Sequence, residues 1–235
     1  MKKALLALPL IMASTSASAE LYFQDYSLTL LRGYDYELGD PKRWVGTFEY
    51  VNDASWGDTF FFADRLVSDN GDTEIYGEFS PRFHFMKVDN GPLKALNVAT
   101  TWEFNTVSNG FSQDNFLLGV GSSWNIPFFR HFGANVYQRF NDHRSNTQQL
   151  TLTWGVAVPF SKTEILFDGF MDWESGTGSH SNNLNFTPQI KIDVAPWVSI
   201  PGKLYLGFEY VHWNNKFGVK GVNERNWNAL VKYHF

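Results

Sequence analysis

Polar and apolar residues alternate with period two along most of this chain. In 226–235, Trp227, Ala229, Val231, Tyr233 and Phe235 share one parity. Asn226, Asn228, Leu230, Lys232 and His234 share the other. Successive side chains of a β-strand point to opposite faces, so such a segment has one apolar and one mostly polar face. Stretches of this kind recur between turn residues, and the pattern predicts twelve strands: 22–34, 43–52, 58–67, 74–86, 93–105, 113–125, 131–141, 148–158, 163–174, 184–194, 203–213 and 226–235.

The connections alternate between two kinds. Those at 52–57, 87–92, 126–130, 159–162 and 195–202 are tight or carry proline. Those at 35–42, 68–73, 106–112, 141–147, 175–183 and 214–225 are polar and mostly rich in Gly, Asn, Asp and Ser. An even number of strands with short turns at one end and longer loops at the other is the pattern of a transmembrane antiparallel β-barrel. The fold class expected is therefore all-β, in one domain over 20–235.

The first 19 residues do not alternate. Lys2 and Lys3 precede an apolar stretch, 4–12, and Ala17-Ser18-Ala19 forms a small-x-small cleavage site. This predicts a cleaved secretory signal peptide over 1–19. Its apolar core is too short to span a bilayer.

Composition narrows the classes further. Removing residues 1–19 takes away two lysines and leaves 17 Lys and Arg against 24 Asp and Glu, a formal charge of −7. That balance offers no basic footprint for nucleic acid. There is no cysteine, which excludes a disulfide framework and thiolate chemistry. Aromatic residues make up 17% of the chain while mean hydropathy is −0.28. Many aromatics in an exported chain of polar average suit strands with one face in lipid and one on a wet interior. A secreted β-sandwich is the soluble alternative, although its strands would be shorter.

A charge facing lipid at the bilayer midplane is destabilising by roughly 2–4 kcal/mol, so charges set the inward parity of each strand. Asp58 and Asp64 then carry Phe60 and Phe62 inward. Tyr76, Glu78 and Arg82 face in, as do Tyr137 and Arg139, Asp168 and Phe170, and Tyr205, Glu209 and Trp213. A water-filled interior needs only polar groups. Aromatic rings interleaved with charges point instead to stacking surfaces for a planar solute, with structural filling as the alternative for any single ring. Pairing within the barrel wall is the alternative for Glu78 with Arg82.

Several segments resemble a known family. They are Trp56-Gly57-Asp58-Thr59-Phe60-Phe61-Phe62-Ala63-Asp64, Tyr76-Gly77-Glu78-Phe79-Ser80-Pro81-Arg82-Phe83, and Phe167-Asp168-Gly169-Phe170-Met171-Asp172-Trp173. Gly202-Lys203-Leu204-Tyr205-Leu206-Gly207-Phe208-Glu209-Tyr210 belongs with them. Together they resemble the nucleoside-specific channel-forming outer-membrane protein family (Tsx/OmpK), over nearly the whole of 20–235. The resemblance implies a monomeric twelve-stranded barrel in the bacterial outer membrane, with a narrow lumen that binds nucleosides weakly. It matches Phe60, Phe62 and Asp64 to the family's aromatic–acid pattern, and Glu78 and Arg82 to its acid and arginine. It also implies that the barrel-assembly machinery reads the terminal Phe235. The partners expected are thus outer-membrane lipid and a nucleoside or similar small solute, with no cofactor and no metal.

Two other functions remain as alternatives. His143-Arg144-Ser145-Asn146 resembles a piece of the outer-membrane phospholipase, but 153–158 lacks the asparagine that family places there. A serine nucleophile needs a base and an orienting group. The family resemblance also allows a role as phage receptor or adhesin, carried by the external loops.

Overall fold

The computed structural model describes residues 19–200 and 203–235, so the signal peptide expected over 1–19 lies almost wholly outside the described residues. Twelve strands form: β1 (Leu21–Gly33), β2 (Arg43–Ala54), β3 (Gly57–Ser68), β4 (Thr73–Lys87), β5 (Leu93–Val107) and β6 (Ser112–Trp124), then β7 (Phe129–Phe140), β8 (Thr147–Phe160), β9 (Thr163–Glu174), β10 (Asn183–Asp193), β11 (Lys203–Asn214) and β12 (Glu224–His234). Each pairs antiparallel with its sequence neighbours, and β12 returns to β1 to close the ring. Closure sets Ser27 opposite His234 and Leu31 opposite Leu230. It leaves no free edge, which is what a sheet within a bilayer requires.

The pleat separates two surfaces. Phe79, Phe83, Val136, Phe167, Ile190, Leu206, Phe208 and Val231 stand outward and exposed. Such a wall is stable only where lipid covers it. Among the described residues no helix is long and apolar enough to cross a membrane, so the strands do the crossing.

Inside, apolar packing is confined to small clusters. Leu31, Val45 and Leu230 form one, with Tyr36 and Leu66 against it. Ala99, Leu117 and Tyr137 form another. A Cβ on Gly119 would lie 1.9 Å from the Val136 carbonyl oxygen, so only glycine fits where the wall closes up beside Tyr137.

The turns at 55–56, 88–92, 125–128 and 161–162 join strands at the end that carries both termini. The connection at 194–202 belongs to the same end and holds a one-turn helix, α1 (Ala195–Val198), where the sequence suggested only a proline-bearing connection. Asp193 Oδ1 organises it, accepting from the backbone of Ala195 at 3.0 Å and of Leu204 at 3.2 Å. Short turns identify this end as periplasmic. The connections at 34–42, 69–72, 108–111, 141–146, 175–182 and 215–223 face outside. The last strand starts two residues before the predicted 226, because Glu224 pairs with Trp213 of β11.

Candidate functional site: the barrel interior

All thirteen candidate residues stand on the interior face. Along β3 and β4 the register sets Asp58 opposite Arg82, Phe60 opposite Ser80, Phe62 opposite Glu78 and Asp64 opposite Tyr76. This places three rings in a row: Phe60 and Phe62 have centroids 5.8 Å apart, and Phe62 and Tyr76 5.7 Å. Phe60 is 39% exposed although it faces inward, so the ridge has open surface. Carboxylates flank it. Tyr76 donates its hydroxyl to Glu78 at 2.6 Å, and Thr47 donates to Asp64 at 2.6 Å.

The cations are held by the wall. Arg82 grips Asp58 through Nε at 2.7 Å and Nη2 at 2.9 Å, and reaches Ser123 and Asn135 at 3.3 Å. The partner of Arg82 is therefore Asp58, and Glu78 is left to Tyr76. Arg139 pairs with both carboxylate oxygens of Glu103 and donates to Gln149 Oε1 at 2.8 Å, with Glu174 at 3.6 Å. Lys191 donates to both oxygens of Asp168, at 2.6 and 2.7 Å. Lys232 pairs with Glu49.

Five interior carboxylates have no cationic partner among the described residues: Asp193 at the periplasmic end, and Asp64, Glu78, Asp172 and Glu209 further along the bore. Each is held by neutral donors. Thr151 and Gln149 donate to Asp172 at 2.5 and 3.2 Å. Gln189 and Asn228 donate to Glu209 at 2.8 and 3.0 Å. Asp64 on β3 lies within electrostatic range of Glu209 on β11, and Glu78 on β4 within range of Asp172 on β9. Those strands stand four and five places apart around a ring of twelve, so these four carboxylates come from opposing parts of the wall.

The remaining candidates divide by exposure. Phe170 is half-buried between Thr153 and Thr187, the residues opposite it. Tyr137 and Tyr205 are only 4% and 1% exposed, and their rings belong to the wall here. Tyr205 donates to Glu164 at 2.8 Å. Trp213 sits near the external mouth, where Lys216 Nζ lies 4.9 Å from its ring.

That mouth was not legible beforehand. The 34–42 loop turns inward, with Tyr36 donating to Asn228 at 2.8 Å and the Glu37 amide donating to Glu224 at 2.7 Å. Lys216, from a short 3-10 turn at Lys216–Gly218, pairs with Glu224 beneath it. Burial pushes the Tyr36 hydroxyl pKa up, and pushes the Lys216 amine down against the opposing pull of Glu224. The inward role of Glu49 was also missed, though it shares parity with Arg43 and Thr47 in the sequence.

The His143–Ser145 hairpin does not form a nucleophile–base contact. His143 Nε2 engages the Ser112 carbonyl at 2.8 Å and Asp142 at 3.2 Å, and Arg144 pairs with Glu174 at 2.7 Å.

Comparison with known proteins agrees with this architecture. Residues 25–228 match the family described as a domain of unknown function, DUF5020. The outer membrane protein OmpK of Vibrio parahaemolyticus serotype O3:K6 is 26% identical over 208 residues, covering 75% of this chain and 77% of that one. Among solved structures, the KdgM porin in complex with disordered oligogalacturonate shares the fold at a TM-score of 0.51 and 9% identity. That alignment covers 89% of this chain and 99% of the porin. The match over nearly all of the barrel settles the family: this chain is a DUF5020 protein, a porin-like β-barrel of the outer membrane.

Proposed function

We propose that the barrel is a channel for passive diffusion of small planar, hydroxyl-bearing solutes, with nucleosides as the class that fits best. The observation that carries this reading is the open Phe60–Phe62–Tyr76 ridge flanked by Asp64 and Glu78, which no cation neutralises. A base stacked on an aromatic ring gains roughly 1–3 kcal/mol. Carboxylates beside the ring accept hydrogen bonds from sugar hydroxyls, and charge-assisted bonds are the stronger kind. Several weak contacts along a bore give selectivity without trapping the solute.

The same carboxylates discriminate by charge. The KdgM structure holds an oligogalacturonate, a polyanion. A bore that sets Asp64, Glu78, Asp172 and Glu209 along its wall with no cation beside them offers a polyanion no counter-charge, while it can accept hydrogen bonds from the hydroxyls of a neutral solute. The test is to reconstitute the protein in planar bilayers and titrate adenosine, uridine and glucose against ion current. Block by the nucleosides and not by glucose supports the reading. Equal block by glucose, or none by nucleosides, removes it.

A further inference from the structure

Arg65 faces away from the lumen. It shares the outward parity of β3 with Phe61 and Val67, and it is exposed. Its cross-strand neighbours on that face are Gly46 of β2 and Ile75 of β4. The other outward charges near the external strand ends all have protein partners. Arg32 holds Asp69 through both terminal nitrogens at 2.8 Å. Asp114 accepts from Trp102 Nε1 at 3.0 Å. Arg225 donates to Asn214 and, at 3.2 Å, to the Trp213 carbonyl. Arg65 engages no hydrogen bond or ion pair among the described residues. An arginine on the lipid face without a counter-charge destabilises the barrel, the more so the deeper it lies.

The surface beside it is shaped. Gly46, directly opposite Arg65, has nothing within 4 Å of where a Cβ would stand. Trp44 and Phe48 flank that gap along the same face of β2, and Leu30 bounds it on β1. The result is an apolar notch with one guanidinium on its rim. Trp44 lies one outward step nearer the external end, and tryptophans gather at the headgroup level of a bilayer.

We propose that Arg65 and the Gly46 notch bind a phosphate-bearing lipid of the external leaflet. The guanidinium fork matches two phosphate oxygens at once, which a point charge does not. The notch takes the apolar part of the same molecule between Trp44 and Phe48. The lipid supplies the counter-charge that the protein lacks at this position, so the site is complete only in the membrane.

The test uses the full barrel in detergent micelles, titrated with a bisphosphorylated, multiply acylated glucosamine lipid and with its dephosphorylated form, and read by native mass spectrometry. The wild type should retain the phosphorylated lipid roughly tenfold better, as expected for a charge-assisted hydrogen-bonded contact. Arg65→Gln should erase that preference, and Arg65→Lys should keep only part of it. Gly46→Leu, which fills the notch and leaves the arginine, should weaken retention of both lipids. Equal retention of the two lipids by the wild type would overturn the proposal. So would an undiminished preference in Arg65→Gln, or complete displacement of the lipid by equimolar inorganic phosphate.

Discussion

Lys216 and Glu224 form an ion pair whose side chains are only 7% and 2% exposed, although both belong to the external mouth. Lys216 lies over the rings of Trp213, Phe217 and Tyr36, at 4.9, 5.4 and 5.9 Å. Glu224 also accepts from the Glu37 amide, so one carboxylate ties the 34–42 loop to the 215–223 loop. Removing one member of a buried pair leaves an uncompensated charge and is destabilising by about 3–5 kcal/mol. Lys216→Met should therefore part the two loops, raise single-channel conductance and speed proteolysis within 215–223. Unchanged conductance would mean that the tied loops do not narrow the mouth.

Arg82 and Asp58 make a bidentate pair inside the wall, about one-fifth exposed. Arg82→Met strands Asp58 and should lower the unfolding midpoint of the barrel, with a loss of a few kcal/mol. Asp58→Asn in the same chain should recover part of it. A double-mutant cycle by thermal unfolding measures the coupling, and an additive cycle would contradict a direct pair.

Phe62 stands between Phe60 and Tyr76, so it touches both other rings of the ridge. Phe62→Ala should weaken nucleoside block by roughly tenfold, from the loss of about 1–3 kcal/mol of stacking, while open-channel conductance is kept. Phe170→Ala tests a ring that stands apart from the ridge and should have the smaller effect. If neither substitution changes block, the stacking mechanism is wrong.

Asp69, in the 69–72 loop, has its carboxyl held below the ordinary value of 3.8 by the bond to Arg32. A depressed carboxylate pKa means that the contribution of the pair is complete above that ordinary value. It is lost as pH falls through the lower, folded one. Carbon NMR of the Asp69 carboxyl in micelles should give a midpoint below 3.8. In Arg32→Gln the midpoint should return to the ordinary value.

The twelve strands and the interior parity were legible because both depend on local chemistry. Alternation has period two wherever one face meets lipid, and a charge near midplane decides which face that is. Arg65 shows the limit of that rule. Near a strand end the penalty for a lipid-facing charge fades, so parity is set by the pleat and the charge follows. Tyr137 was read correctly as inward, but its burial depends on Ala99 and Leu117, which come from two other strands.

What the sequence by itself determined is the barrel: strand number, inward faces, and which end carries the short turns. Partner choice was decided only by closure of the ring. Arg82 took Asp58 in place of Glu78, Arg139 took Glu103 from 36 positions away, and Lys232 took Glu49 across the β12–β1–β2 seam. Those pairings depend on strand stagger and bore width, which no single segment encodes. They leave Asp64, Glu78, Asp172 and Glu209 bonded to neutral donors, and so set which polar groups a passing solute meets.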